Sequence, residues 1–274
     1  MSEVLARDGI ALYAEVHGTG IPLVLSCGYC TTHENFRPQV EPLVRAGARV
    51  VLWDYRGHGR SAAPLDPAAY SMEQVVDDLG RVLDWAAPGE PAVLGGLSFG
   101  GLASLHFALA HPTRVRALLL VDSGPGFKNP EAQARWMAQV ERTGKLLETE
   151  GAAVLVTGRS AATAIGRRPE LPAARAAARA IAAQEPRALA LFGRRIAGPA
   201  PCVIDELARL TMPSLVIVGE EDEAYLRAAE VMAAKLPNAI RVTIPKAGHL
   251  VNLEEPEAFD AAVAAFLERL RGAA

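Results

Sequence analysis

Short apolar runs alternate along this chain with longer stretches whose apolar positions recur every three or four residues. Ile10 to Val16 predicts a strand, and Pro22 to Ser26 a second, buried one. Arg37 to Ala46 has helical spacing. Arg49-Val50-Val51-Leu52-Trp53 predicts a strand running into the glycine-broken loop Asp54-Tyr55-Arg56-Gly57-His58-Gly59-Arg60-Ser61. Ser71 then caps a helix reaching Ala87, with Gln74 at the third helical position to complete a capping box. Val75, Val76, Leu79, Val82 and Leu83 form its apolar stripe. After the apolar run Pro91-Ala92-Val93-Leu94, helical spacing returns from Leu102 to His111. Val115 to Val121 is apolar apart from Arg116, the pattern of a strand covered on both faces. Ser214 to Val218 and Ile240 to Ile244 repeat that signal, and Glu223 to Lys235 and Pro256 to Leu270 read as helices. Strands alternating with helices predict an α/β fold, a mostly parallel sheet with helices on both faces.

The alternation breaks between Phe127 and Leu210, where helical patterns run on without convincing strands. Ala152 to Val156 is read as helix, and the alanine-rich Ala173 to Ala183 favours helix by propensity. Residues 127–210 are therefore expected to form a helical cap inserted into a core made of 1–126 and 211–274. Its net charge is +5, against −8 for the remainder. That is either a solvated basic face or a rim favouring anionic substrates.

The chemistry concentrates at Gly96-Leu97-Ser98-Phe99-Gly100-Gly101, a serine flanked by glycines between a strand and a helix. A nucleophilic serine must stand proud of a sheet on a tight, strained turn. Glycines on either side remove the Cβ atoms that would block it. A hydroxyl is a weak nucleophile until a base takes its proton, so a histidine and an orienting acid are required. His249, in Lys246-Ala247-Gly248-His249-Leu250, lies on a loop beyond a strand, where open α/β sheets gather ligand chemistry. His17, His33, His58, His106 and His111 are placed less well. For the acid, the strand Leu215 to Val218 leads into Gly219-Glu220-Glu221-Asp222-Glu223. Asp222 is the choice, with the neighbouring glutamates and Asp122 as rivals. An oxyanion needs two backbone donors: the N–H of Phe99, and that of Tyr29 on the loop Ser26-Cys27-Gly28-Tyr29-Cys30.

Taken in order, Cys27-Gly28-Tyr29, Asp54 to Ser61, the Ser98 elbow, Gly219-Glu220-Glu221-Asp222 and Gly248-His249 resemble the α/β-hydrolase fold, in its esterase, enol-lactonase and C–C hydrolase neighbourhood. The resemblance covers nearly the whole chain. It implies an eight-stranded, mostly parallel sheet with one antiparallel strand, and a cap after the sixth strand. It also implies metal-independent hydrolysis through an acyl-enzyme, and it makes Asp54 to Ser61, His58 included, a structural loop beside the oxyanion turn. Many relatives carry His-Gly where this chain has Cys27-Gly28; the donor is backbone, so the loop is expected to remain competent. Dehalogenase and epoxide-hydrolase relatives use an aspartate nucleophile, and Ser98 argues against both.

Composition narrows the rest. Half of the 274 residues are hydrophobic and the net charge is −3, so no basic field points to nucleic acid. No apolar run approaches the roughly 20 residues of a membrane span. Met1-Ser2-Glu3-Val4 has no signal-peptide character. Three cysteines fit a reducing compartment, and a cytoplasmic location is expected. Cys27-x-x-Cys30, with His33, also matches a redox or metal pattern, but further ligands are missing and Cys202 is remote. The expected function is a cofactor-independent serine esterase acting on a small carboxylic ester. Lactone or C–C hydrolysis is the alternative, and a triad-bearing ligand receptor represents a different class. The expected partner is therefore a small-molecule ester or lactone, with no nucleic acid, membrane or metal. Tyr29, Phe99, Phe127, Trp136, Phe192 and Leu250 are candidate substrate walls. Arg159, Arg194 and Arg195 are candidate partners for a substrate carboxylate.

Overall fold

The computed structural model describes residues 2–272, and their side chains apart from those of residues 2, 3 and 159. Eight strands form one sheet: β1 Ser2–Leu5, β2 Ala11–His17, β3 Ile21–Ser26, β4 Ala48–Trp53, β5 Ala92–Leu97, β6 Val115–Val121, β7 Ser214–Gly219 and β8 Ala239–Ile244. Their order is β1-β2-β4-β3-β5-β6-β7-β8. β2 pairs antiparallel with both β1 and β4, and the other pairings are parallel. β2 is thus the one strand running against the rest, and the eight-stranded, mostly parallel architecture is as expected. β1 has no counterpart in the sequence pattern, because a four-residue edge strand with Leu5 half exposed shows no readable alternation.

β3, β5 and β7 are buried at every position. Successive side chains on a strand point to opposite faces, so each strand feeds two cores. Val24, Leu94, Leu120 and Val216 meet α2 (Met72–Ala86), α3 (Phe99–Ala110) and α8 (Glu223–Lys235) on one side. Leu25, Val93, Leu119 and Ile217 meet α1 (Val40–Arg45), α9 (Val251–Glu254) and α10 (Pro256–Gly272) on the other.

Two local expectations change. Ser71 Oγ accepts the Gln74 N–H at 3.2 Å, but the Gln74 amide turns to the Ala68 carbonyl at 3.3 Å. Only half of the capping box is made. The Arg37-to-Ala46 stretch divides into a 3-10 helix, His33–Gln39, followed by α1. Pro38 lies inside the first piece and has no N–H to donate to an α-helical ladder.

The chain between β6 and β7 is helical: α4 Pro130–Glu150, α5 Ala161–Ile165, α6 Pro172–Ala182 and α7 Pro186–Phe192, with no strand among the described residues. Ala152–Val156 forms a 3-10 helix after Gly151, which ends α4 at φ 79°. This segment is tied to the sheet side by polar bonds. Asn35 Nδ2 donates to the Ala164 carbonyl at 2.8 Å, and Gln184 Nε2 to the Cys30 carbonyl at 3.0 Å. Gln184 Oε1 also accepts the Gly59 N–H at 2.9 Å. Among the described residues, no helix is long and apolar enough to cross a membrane.

Candidate active site

Ser98 sits where β5 turns into α3, at φ 54° and ψ −114°. No side chain adopts that backbone without cost, so the surroundings must hold it. Ser98 N–H donates to the Val121 carbonyl at 2.8 Å, and Ser123 Oγ donates to the Ser98 carbonyl at 2.6 Å. α3 approaches the end of β3 so closely that a Cβ on Gly100 would overlap the Ser26 carbonyl oxygen. Among the described residues, three other non-glycine residues have positive φ: Cys30, Asp122 and Lys246. They follow β3, β6 and β8, so all four lie just beyond the C-terminal ends of strands, along one rim of the sheet.

The loop after β3 faces the serine. A Cβ on Gly28 would stand 3.6 Å from the Ser98 Cβ. Among the described residues, neither the Tyr29 nor the Phe99 N–H has a protein acceptor. Phe99 opens α3, where the first N–H groups lack helical partners and the dipole favours negative charge. The loop is braced from behind. Thr31 donates both its N–H (3.1 Å) and its Oγ1 (3.0 Å) to the Gly28 carbonyl, and Cys30 N–H donates to His58 Nε2 at 3.1 Å. Beneath it, Asp54 accepts the His33 N–H at 2.8 Å and lies 2.6 Å from His33 Nδ1. The Asp54-to-Ser61 loop thus supports this turn without reaching Ser98. Cys27 and Cys30 are buried, and burial pushes both thiols up, Cys30 to about 12. A thiol so placed stays protonated, which opposes the redox reading.

The loops after β7 and β8 are joined edge to edge. Glu220 N–H donates to the Ile244 carbonyl at 2.9 Å, and Glu221 N–H to the Ala247 carbonyl at 2.8 Å. Asp222, 7% exposed, ends the first loop and His249, 13% exposed at its side chain, stands on the second. His249 Nδ1 lies 2.7 Å from Asp222 Oδ2. Arg167, from between β6 and β7, clamps both loops: it bonds Glu254 at 2.7 Å, the Lys246 carbonyl at 2.6 Å and also Glu221. Glu254 in turn accepts the Gly248 N–H at 3.0 Å.

Of the rival acids, Glu220, Glu221 and Glu223 are exposed. Asp122 is fully buried, with Oδ1 accepting the Gly219 N–H at 2.8 Å and Oδ2 unpartnered among the described residues. Burial, and then the nearby Asp222, holds the Asp122 carboxyl well above the usual carboxylate range.

Tyr225 completes the cluster, and its only sequence signal is its place three residues after Asp222, on the first turn of α8. Its N–H donates to the Asp222 carbonyl at 2.9 Å. Its ring stacks on His249 with centroids 4.9 Å apart, and its Oη lies 3.3 Å from Ser98 Oγ. That tyrosine is the only hydrogen-bond partner of the serine hydroxyl among the described residues.

The expected substrate walls divide. Tyr29 is half-buried, with its hydroxyl 3.3 Å from the Leu189 carbonyl and its ring stacked on Phe192. Phe192 and Leu250 have no exposed surface, which corrects their assignment as walls. Phe192 fills the centre of an aromatic cluster with Tyr55, His58 and Phe99, and Leu250 belongs to the core on the α10 face. Phe127 and Trp136 pack against each other, and the Trp136 indole donates to the Ala197 carbonyl at 2.8 Å. Arg194 is held by Glu141 and Glu148, so it is not available to a substrate carboxylate. Arg195 is exposed, and the Arg159 side chain lies outside those described.

Sheet order, elbow, and the loops after β3, β7 and β8 define a hydrolase scaffold, and comparison agrees. A family model for the alpha/beta hydrolase fold matches residues 21–256, and the chain belongs to that family. A relative from Caulobacter sp. (strain K31), provisionally named the carbamate hydrolase RutD, is 30% identical, over 93% of this chain and 95% of its own length. The RutD relative of Azorhizobium caulinodans is 41% identical, but there the chain spans only 40% of the relative's length. Among solved structures, a thermophilic esterase from Thermogutta terrifontis superposes with a TM-score of 0.84 at 28% identity, covering 98% of each chain. The enol-lactonase from Burkholderia xenovorans LB400 gives 0.79 at 25% identity, covering 97% of this chain and 100% of the other.

Proposed function

We propose that the protein is a serine hydrolase that cleaves a small carboxylic ester through an acyl-enzyme. The observation that carries this reading is the 2.7 Å His249–Asp222 pair beside a strained serine. Ser98 attacks the carbonyl carbon while His249 Nε2 takes its proton. Asp222 holds the imidazole with Nε2 free and stabilises the imidazolium. The oxyanion is received by the N–H groups of Tyr29 and Phe99, worth about 2.7–4 kcal/mol each in sites of this kind. His249 then protonates the leaving alcohol and activates the water that releases the acid. The resting Ser98 hydroxyl is hydrogen-bonded to Tyr225, and its bond to His249 forms in the complex, since catalytic hydrogen bonds commonly tighten only with substrate present.

The helices between β6 and β7 act as the cap over this rim, and the two bonds of Gln184 support that role. Three unbonded cysteines support a reducing cytoplasm. Lactone hydrolysis uses the same acyl chemistry, and likeness to an enol-lactonase over its full length keeps it as the second reading.

The test is turnover of p-nitrophenyl acetate, then of a panel of aryl esters, alkyl esters, lactones and C–C cleavage substrates. Ser98→Ala should lower kcat by about 10⁴-fold or more. Hydrolysis unchanged in that variant removes the mechanism, and binding without turnover in the wild type points to a receptor.

A further inference from the structure

We infer that Tyr225 is a further catalytic residue, its hydroxyl a fixed hydrogen-bond donor to the nucleophilic oxygen of Ser98; this rests on the acyl-enzyme reading. Two contacts single it out. Its Oη stands 3.3 Å from Ser98 Oγ, and its ring lies against the His249 imidazole at a 27° interplanar angle. One side chain on the first turn of α8 therefore touches both the nucleophile and its base, and its own N–H is fixed to the Asp222 carbonyl.

The donor direction follows from the proton inventory. When Ser98 engages His249, its one proton points to Nε2, and Oγ is left with lone pairs to fill. Tyr225 faces those lone pairs and has no other hydrogen-bond partner among the described residues. Burial also pushes its phenol up, so it keeps its proton.

In acylation the Ser98 O–H bond breaks, the Oγ–carbon bond forms, and the proton passes through His249 Nε2 to the alcohol that leaves as the ester C–O bond breaks. In deacylation His249 takes a proton from the water that adds, the Oγ–carbon bond breaks with its electron pair left on Oγ, and His249 gives that proton to Oγ. Tyr225 transfers nothing in either half. Its O–H steadies the charge that develops on Oγ, once as nucleophile and once as leaving group.

The experiment is Tyr225→Phe, which keeps the ring against His249 and removes only the hydroxyl, with the melting temperature confirming the fold. The expected result is kcat lowered roughly 10- to 100-fold with KM within about twofold. The factor should be the same for aryl and alkyl esters, because Oγ is common to all of them. Three results overturn the inference: kcat unchanged, as for a ring that only packs on His249; a loss growing with the basicity of the leaving group; or a faster enzyme, as when the phenol merely holds Ser98 away from its base. If the wild type cleaves no ester, the functional reading fails on its own. The rate at which a p-nitrophenyl phosphonate labels Ser98 then decides Tyr225: slower in the variant supports it, equal or faster refutes it.

Discussion

His58 makes the loop after β3 sensitive to acid. Its side chain is 1% exposed, 4.5 Å from the Phe192 ring and 5.7 Å from that of Tyr55. Nε2 accepts the Cys30 N–H, so the ring must be neutral with that nitrogen bare. Burial lowers its pKa from 6.5 to about 4. As the pH falls from about 6.5 toward 4, the unfolded chain gains a proton at this position that the native protein refuses. Stability is therefore complete above 6.5 and lost across that window, by about 3 kcal/mol in all. Below pH 4 the native ring also charges, its acceptor disappears, and the turn carrying the Tyr29 N–H loses its brace. His58→Gln keeps an acceptor and cannot titrate. Urea unfolding of both proteins between pH 8 and pH 4 should show the wild type losing about 3 kcal/mol more than the variant. Parallel curves across that range refute the reasoning.

Asp122 carries the opposite sign. Its carboxyl is held above 3.8, so the native state binds a proton that the unfolded chain lacks. Asp122→Asn should be more stable than wild type at pH 7–8, with the advantage shrinking as pH falls toward 4; a difference independent of pH in urea titrations argues against a protonated carboxyl there. Gln184→Leu strands the Cys30 carbonyl and the Gly59 N–H, at about 1–3 kcal/mol each. Ester kcat should drop about tenfold as the oxyanion loop loosens, and unchanged kinetics mean that the helical segment does not position that loop.

What the chain discloses before folding follows from the range of its signals. Ser98 and Asp222 each follow a continuous apolar run and His249 follows an alternating one, so strand, loop and residue type can be read together within a few positions. Their order along the chain then supplied the pairing that no local window contains. Tyr225 was not legible, because an aromatic on the first turn of an amphipathic helix reads as packing until its hydroxyl is seen against Ser98. Phe192 and Leu250 failed for the converse reason. Being apolar, and for Leu250 next to His249 in sequence, does not distinguish a wall from the filling behind it, and both have 0% exposure. Arg194 looked free for a ligand because its partners, Glu141 and Glu148, come from a helix whose packing the local pattern does not encode.

The four left-handed residues at Cys30, Ser98, Asp122 and Lys246 have a wider consequence. Each is disfavoured by about 1–3 kcal/mol in isolation, and all four occupy the same border of the molecule. Heat resistance and reactivity are therefore set by overlapping peptide units. A lineage that hardens this border by relaxing its backbone risks dulling the enzyme, whereas one that hardens the opposite end of the sheet leaves the chemistry alone.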